Sequence, residues 1–405
     1  MNERNLSVMK PLLFLGALFA AVLLAAAEPA VFHMWNDKVP PPEKPGIEFP
    51  AVPGARQVRV FTGDPAVGGY NHHANIIFFN GRFYLSWSNQ RYAEDAPGQR
   101  VLFTSSADGV NWEPVRELFP APHPEAPWEH SGVFATSLGF FVHDGRLYAR
   151  ANTTVNANWE NRERTQSSPV YTKECPFPVY KALTFLYREV GTNGKLGPIL
   201  AKDPAKLPGD LLFPVAATPP GFVEPEASCD ITDALRRNPE KRRFCEPVTW
   251  KAADGRHVLL LRDDSRSNCK WVSFSDDGKT WTQPVPTDIP DAPSWSCQVT
   301  LDDGIVLLFG NHHGKGYVDE QKRWRDRDPL MVSVSRDGIL FDNTHAVASG
   351  YYRHLVPGVR GRGGSAQYPC AIVKDGICFV AYSLGKESIG VTSFPVAELL
   401  NAKGN

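Results

Sequence analysis

The sequence predicts an all-β protein built from repeated antiparallel hairpins, and three observations support this prediction. An Asn-Gly or Asp-Gly pair stands between β-rich apolar runs again and again, with the turn glycines at 81, 145, 255, 304 and 376. Such a pair between apolar runs is a strong hairpin signal. A second motif, Ser-x-Asp-Gly followed by an aromatic residue, occurs at 106–112, 275–281 and 335–341. No long segment has a helical period, and residues 230–237 indicate at most a short helical insert.

The spacing of the hairpins predicts the architecture. Hairpins that recur about every 50–60 residues are typical of a β-propeller of four-stranded antiparallel blades. The wide gap between Gly145 and Gly255 leaves room for one irregular unit around residues 181–201, so counting hairpins gives six blades. The Asp-Gly motif fits the turn between the third and fourth strands of a blade. There Ser and Asp oxygens bind turn amides, Gly takes a positive φ and the aromatic ring packs between blades.

Outside the propeller, the N-terminus reads as an export signal. Arg4 and Lys10 form a basic region, Leu12–Leu24 an apolar one, and Ala25–Ala27 a small-residue cleavage site. This pattern is typical of a secretory signal peptide, with an N-terminal membrane anchor as the alternative. The expected domains are a signal peptide at 1–27, a Pro-rich lead at 28–55, a single propeller domain at 56–400 and a tail at 401–405. The protein is therefore expected in the periplasm or outside the cell, away from the membrane after cleavage.

Charge and composition narrow the expected partners. Lys+Arg 43 against Asp+Glu 44 gives a formal net charge of −1, which favours neither nucleic acid nor an anionic membrane. The chain has 10 Trp, 23 Phe and 12 Tyr, and exported aromatic-rich β proteins often bind sugars on such rings. We expect a monomer that requires no cofactor. An acidic poly- or oligosaccharide as its substrate is implied by the arginine and amide side chains at the strand ends, together with the family resemblance described below.

The seven cysteines raise the question of disulfides and metals. An odd number in an oxidising compartment leaves at least one cysteine free, metal-bound or intermolecular. If Asp375-Gly376 is a hairpin turn, Val373 faces Cys378 and Cys370 faces Ala381. The two cysteines then point to opposite sides of the sheet and should not pair. A structural metal ion held by Cys and His is an alternative use of these residues.

Polar residues gather at the strand ends opposite the hairpin turns. In a propeller, the start of the innermost strand and the end of its neighbour lie on one face, here called the mouth. Independent blades send the same mixture of side chains there, which is how concave ligand sites form. The proposed catalytic residues are His73, His72, Arg262, Glu246 and Tyr368. The proposed substrate-binding residues are Asn71, Gln90, Arg91, His130, Asp263, Arg266, Gln298, Asn311, His312, His313 and Gln367.

Two family resemblances rest on these motifs. The three Ser-x-Asp-Gly segments resemble the Asp-box, or BNR repeat, of sialidase-like propellers, although the Phe/Tyr-Arg-Ile-Pro segment of sialidases is absent. Residues 70–112 resemble propeller enzymes that attack rhamnose–glucuronate linkages, namely ulvan lyases and a rhamnosidase family; the other blades match only by pattern. This second resemblance implies seven blades, with Arg56–Phe61 closing the ring, and a catalytic histidine at His73 or His72. The second histidine of the lyases has no counterpart in residues 89–95.

Four functions follow as alternatives, and hydrolysis of a rhamnose-type bond next to a uronic acid is preferred. Hydrolysis usually uses two carboxylates, for which Glu246 and Asp263 are available, although Asp263 could instead bridge to Arg262 and Arg266. Elimination at a uronate needs a cation, a base and an acid, and Arg262, His73 and Tyr368 could serve. Exo-sialidase activity and non-catalytic glycan binding are the remaining alternatives.

Overall fold

The computed structural model describes residues 30–36, 49–123, 133–156, 180–192, 194–223, 232–237, 242–265, 267–313, 317–318, 324–325, 327–359 and 363–402. Within these residues the chain forms an all-β propeller with five blades, each an antiparallel meander of four strands with one extra strand on the second.

The strands follow the blades in chain order. Blade 1 contains β2 (Tyr70–Phe79), β3 (Arg82–Gln90), β4 (Arg100–Ser106) and β5 (Arg116–Phe119). Blade 2 contains β6 (Phe134–His143), β7 (Arg146–Asn156), β8 (Tyr180–Val190), β9 (Leu196–Ala201) and the short parallel β10 (Ala216–Ala217). Blade 3 contains β11 (Phe244–Lys251), β12 (His257–Asp263), β13 (Cys269–Ser275) and β14 (Val285–Pro290).

Blades 4 and 5 complete the ring. Blade 4 contains β15 (Cys297–Thr300), β16 (Val306–Gly310), β19 (Leu330–Ser335) and β20 (Asp342–Ala348), with the small pair β17 (Tyr317–Val318) and β18 (Trp324–Arg325) inserted after β16. Blade 5 contains β21 (Ala366–Lys374), β22 (Ile377–Leu384), β23 (Ser388–Pro395) and, from the N-terminal side, β1 (Arg56–Phe61). The helical elements are α1 (Thr232–Arg236), α2 (Val396–Asn401) and a 3₁₀ turn at Pro204–Lys206. Among the described residues, no helix has the length and apolar character needed to cross a bilayer.

The prediction of six or seven blades was wrong. Residues 181–201, which were expected to form an extra unit, are β8 and β9, the outer strands of blade 2. The hairpin spacing misled because residues 157–179 stand between β7 and β8 and lengthen this blade beyond its neighbours. Other expectations are confirmed: β1 pairs with β23 and closes the ring, and α1 lies in the segment expected to be a short insert.

The hairpin register and the Asp-box turns also follow the sequence. Val373 pairs with Cys378 and Cys370 with Ala381, and both cysteines are free thiols. In the first Asp box, Ser106 Oγ donates to Asp108, whose carboxylate accepts hydrogen bonds from the amides of Val110 and Asn111. The boxes join the third and fourth strands of blades 1, 3 and 4, opposite the mouth, and the Ala253 amide donates to the carbonyl of box residue Asp337 in the next blade.

Apolar clusters between adjacent blades form the core. Phe83 of blade 1 lies 4.4 Å, ring centre to ring centre, from Phe379 of blade 5. Leu307 and Phe309 of blade 4 are fully buried in a cluster with Val380 and Tyr382 of blade 5. Because each blade buries both faces against its neighbours, the strand ends at the mouth are held in fixed positions.

Candidate active site at the propeller mouth

A repeated β-bulge aims three side chains into the mouth. The pairing of the two inner strands shifts between His72 and Asn75 in blade 1, between Cys245 and Val248 in blade 3, and between Gln367 and Cys370 in blade 5. The first bulged residue has a positive φ in each case, and these residues are His73 (58°), Glu246 (50°) and Tyr368 (57°). Non-glycine residues in this region carry strain, and such strain concentrates at functional sites.

The other two blades show what the bulge contributes. Blade 2 has the same shift between Ser137 and Phe140, but the residue with positive φ is Gly139 (79°). A Cβ there would lie 2.9 Å from the Cβ of Asn75, so this second bulged position accepts no side chain, and the first bulged residue of blade 2 is the apolar Leu138. Blade 4 pairs β15 with β16 without any shift. Three blades therefore supply the polar side chains that bulges turn into the site.

Tyr368, Glu246 and Arg262 form a closed hydrogen-bonded triad across blades 3 and 5. The Tyr368 hydroxyl donates to Glu246 Oε1 at 2.6 Å and accepts from Arg262 Nη1 at 2.7 Å. Arg262 Nη1 also donates to Glu246 Oε2 at 2.7 Å, and Nη2 donates to Asp264 at 2.6 Å. The side chains of Arg262 and Glu246 are 12% and 22% exposed, so the triad opens onto the mouth.

Electrostatics set the protonation of the triad. Burial raises the pKa of Glu246, but the Arg262 guanidinium and the Tyr368 hydroxyl outweigh it and hold that pKa below its ordinary value. Burial, reinforced by the negative charge of Glu246, holds the pKa of Tyr368 well above its ordinary value. At neutral pH the triad therefore contains a neutral phenol beside an ionised carboxylate that accepts its hydrogen bond.

His72 and His73 line the wall next to Tyr368. The ring centre of His73 lies 5.5 Å from that of Tyr368, and the rings of His72 and His73 are 4.4 Å apart. His72 is fully buried and its Nδ1 lies 2.7 Å from Ser383 Oγ, while His73 Nδ1 lies 3.2 Å from Ser88 Oγ. Burial lowers the pKa of His73 to about 4 and that of His72 well below its ordinary value. Both imidazoles are neutral at neutral pH.

Three ionic residues of the site come from loops that the strand-end prediction missed. Lys386 Nζ donates to both oxygens of Glu94, at 2.7 and 2.6 Å. The Arg327 guanidinium lies 5.5 Å from the centre of the Tyr368 ring and donates to Gln367 Oε1 and the Pro293 carbonyl. Among the described residues, no carboxylate lies within ion-pair distance of Arg327, which leaves this cation free to bind an anion.

The sequence does carry a signal for Glu94, Arg327 and Lys386, in the loops between the second and third strands of the blades. The loops between the second and third strands of a blade also end at the mouth, because the meander reverses there. Glu94 lies in the β3–β4 loop, Arg327 in the segment between β16 and β19, and Lys386 in the β22–β23 turn. A search of these loops for charged residues would have found all three.

Most of the remaining predicted residues hold the backbone and loops around the site in place through hydrogen bonds. Asn71 donates to Gly68 O and Glu387 O, and Asn311 donates to Arg327 O, Pro329 O and Ala366 O. Gln90 folds the loop that carries Glu94 by binding the Pro97 carbonyl and the Ala93 amide, and Arg91 donates to Ala66 O. Gln367 holds Arg327, whereas Gln298 donates to Thr249 O of the neighbouring blade. His312 and His313 are buried, and His130 and Arg266 lie outside the described residues.

Asp263 differs from the expected bridge to Arg262. It is 1% exposed and accepts hydrogen bonds from Arg242 Nη1 at 3.0 Å and from the Ser265 amide. Arg262 pairs instead with Asp264, two residues further on. Side chains alternate along a strand, so Arg262 and Asp264 point to the same side and Asp263 points away.

Comparison with known proteins agrees with this fold. A family model for a BNR repeat-like domain matches residues 189–380, and one for a BT_1020-like, N-terminal beta propeller matches residues 55–167. A structure titled sialidase is similar over 90% of this chain and 35% of its own, with 19% identity and a TM-score of 0.63. Trypanosoma rangeli sialidase in complex with 2,3-difluorosialic acid, a covalent intermediate, is similar over 87% of this chain and 60% of its own, with 14% identity and a TM-score of 0.52.

These matches agree on the fold: the chain is a β-propeller similar in architecture to those of sialidases, and its residues 189–380 are similar to the BNR repeat-like domain. It spans between about a third and 60% of the length of the sialidases just named. No curated protein matches the chain. At such identities the likeness concerns the fold, and the chemistry has to be argued from the mouth itself.

Proposed function

We propose that the protein is a glycoside hydrolase that cleaves a glycosidic bond beside a carboxylate in an acidic glycan. The observation that carries this proposal is the triad, in which the Tyr368 hydroxyl donates to Glu246 Oε1 at 2.6 Å while Arg262 binds both residues. A nucleophile, its base and a third group that orients them are the parts that covalent catalysis requires.

The proposed reaction has two steps. Tyr368 attacks the anomeric carbon while its proton passes to Glu246, the bond to the leaving oxygen breaks, and that oxygen takes a proton from a water molecule. The resulting hydroxide then displaces Tyr368 from the anomeric carbon, and Glu246 returns the proton to the Tyr368 oxygen. Tyrosine nucleophiles occur in sialidases, whereas most other glycosidases use a carboxylate as the nucleophile. A neutral phenol suits an anionic sugar because it carries no charge to repel the substrate carboxylate.

Arg327 is the proposed recognition group for that carboxylate. Arg262 is paired with Glu246 and Asp264, and Lys386 with Glu94, whereas the acceptors of Arg327 among the described residues are uncharged. Arginine binds carboxylates through two parallel hydrogen bonds. A sialic-acid-type sugar and the rhamnose–glucuronate linkage both place a carboxylate near the scissile bond, and both belong to the proposed substrate class. We place the action of the enzyme outside the cytoplasm, after removal of residues 1–27.

Elimination at a uronate is a second candidate, and His73 favours it. Its neutral imidazole lies in the mouth beside Tyr368 and could accept the C5 proton, with the Tyr368 phenol as the acid. Elimination creates a double bond conjugated to the carboxylate, which absorbs ultraviolet light, whereas hydrolysis does not. The two reactions therefore leave different products from the same mouth.

The deciding experiment incubates the protein with sialyllactose, rhamnose-capped arabinogalactan and ulvan. Released sugars and ultraviolet absorbance are followed together for the wild type, Tyr368→Phe and Glu246→Gln. Tyr148→Phe, the same change at a tyrosine near the Asp144-Gly145 hairpin turn on the opposite face, is the control. We expect released sugar without new absorbance and a loss of at least about 100-fold in turnover for both triad variants. New absorbance would support elimination instead. A fully active Tyr368→Phe protein would exclude the tyrosine mechanism, and binding without any product would indicate a glycan-binding propeller.

A further inference from the structure

Among the residues that the structure describes, one nitrogen of the buried His72 finds no hydrogen-bond partner. Ser383 Oγ donates its hydrogen to Gln367 O at 3.3 Å, so it accepts from His72 Nδ1 at 2.7 Å. The proton of the neutral imidazole therefore sits on Nδ1, and Nε2 carries a bare lone pair. That nitrogen is fully buried without a partner. Such a group is costly to bury unless something binds it.

Two further ligand-type side chains lie close to His72. One ligand atom from each of His72, His73 and Glu94 lies within 4.8 Å of the other two. His73 Nδ1 is 3.2 Å from Ser88 Oγ, so its Nε2 is also the nitrogen left for another partner. Burial lowers the pKa of both histidines, and a neutral imidazole binds a metal without first losing a proton.

We propose that His72, His73 and Glu94 bind a divalent transition-metal ion, best matched by zinc, at the wall of the mouth. Two imidazoles and one carboxylate are a zinc ligand set that leaves a fourth position for water or a substrate oxygen. The serines on the two Nδ1 atoms correspond to the hydrogen-bond partners that usually orient metal-binding histidines. The site requires none of the tyrosine chemistry proposed above.

Lys386 competes with the proposed metal ion for the carboxylate of Glu94, and this competition can be tested. Its ammonium donates to both oxygens of Glu94, yet an ionised carboxylate has about four acceptor positions and can bind a metal as well. The positive charges of Lys386 and Arg327 both oppose a second cation nearby. Removing the Lys386 charge should therefore tighten metal binding, because the ion would then neutralise Glu94 alone.

The test titrates the untagged, chelator-treated protein with zinc by calorimetry, and with cobalt(II) by visible absorption. We expect one ion per chain and a cobalt spectrum of a four- or five-coordinate site. His72→Ala and Glu94→Gln should abolish this stoichiometric ion binding, and Ser383→Ala should weaken it about 10- to 100-fold. Lys386→Met should bind at least about tenfold more tightly. His257→Ala, on the opposite face, should bind like the wild type.

Three results would overturn the proposal. The first is that the wild type takes up no stoichiometric ion. The second is that binding survives in both His72→Ala and Glu94→Gln, and the third is that Lys386→Met binds the ion no more tightly than the wild type. Circular dichroism identifies any variant that fails to fold. The Lys386→Met result stays decisive in that case, since it predicts a gain. All readouts are of binding, so a failure here leaves the tyrosine mechanism to its own experiment.

Discussion

The tripeptide Asn-His-His occurs twice at the mouth, at residues 71–73 and 311–313, and its two copies behave differently. The first copy lies at the start of β2, and the second follows the end of β16. In both, the asparagine is fully buried and holds a neighbouring loop that carries a cation. Asn71 binds the Lys386–Glu387 turn through its amide and its main chain, and Asn311 binds the carbonyl of Arg327.

The histidines account for the difference between the copies. The bulge in β2 turns His73 toward the mouth, whereas His312 and His313 have no bulge and are 0% and 6% exposed. His312 folds back on its own strand, so that a Cβ on Gly310 would lie 2.4 Å from His312 Nε2. The same three residues therefore serve scaffold and site in one blade and only scaffold in the other, because backbone geometry decides where a side chain points.

The largest expected effect is on stability and tests the shared role of the asparagines. Asn71→Ala removes the acceptor of Trp87 Nε1 and the donor to Glu387 O, and Asn311→Ala removes a donor that faces three carbonyls. Each buried polar group left without a partner costs about 1–3 kcal/mol, so we expect each variant to lose on the order of 3–5 kcal/mol of unfolding free energy. Urea denaturation measures this loss. Asn111→Ala in the exposed Asp box is the control, and an equal loss there would contradict the scaffold role.

The second copy should also make the protein sensitive to acid. Burial, followed by the charge of Lys270 and the neighbouring His313, holds the pKa of His312 well below 6.5. Below that ordinary value the unfolded chain binds a proton that the folded state refuses, so the unfolding free energy falls as the pH falls. His312→Asn removes this contribution. Its stability should therefore decline less steeply with acid than that of the wild type in urea denaturation at successive pH values, and parallel curves would refute the assignment.

The bulge itself can be tested with glycine at matched positions. His73 pays for a positive φ that glycine adopts freely, so His73→Gly should keep the wild-type stability or gain up to about 1 kcal/mol. Turnover should nevertheless fall at least about tenfold, because a wall of the site is gone. His313→Gly should instead lose about 1–3 kcal/mol of stability, because it removes a buried side chain. Equal stability losses in the two variants would mean that the bulge carries no strain.

These contrasts also show what a sequence can reveal about such a site. The hairpin turns, the Asp boxes and the strand ends at His73, Glu246, Arg262 and Tyr368 follow from local patterns, since alternation and turn chemistry act over a few residues. The bulges do not, because nothing in the amino-acid sequence distinguishes a strand whose pairing shifts by one residue from a strand whose pairing does not. The number of blades was misjudged for a related reason: spacing along the chain measures insertions as well as repeats.

The smallest expected effect separates two glutamines that sequence analysis treated alike. Gln367 accepts a hydrogen bond from Arg327, the proposed carboxylate-binding cation, whereas Gln298 of the unbulged β15 donates to Thr249 O in the next blade at 3.1 Å. Gln298→Ala should therefore cost only this hydrogen bond and the one that Gln298 Oε1 accepts from the Thr300 hydroxyl, about 0.5–1.5 kcal/mol of stability each. It should leave the affinity for sialic acid or glucuronic acid unchanged, as measured by calorimetry. Gln367→Ala should weaken that affinity about three- to tenfold, because Arg327 loses the partner that orients its guanidinium. If both variants lose affinity equally, Gln298 reaches the mouth and blade 4 contributes more to the site than its unbulged strand allows.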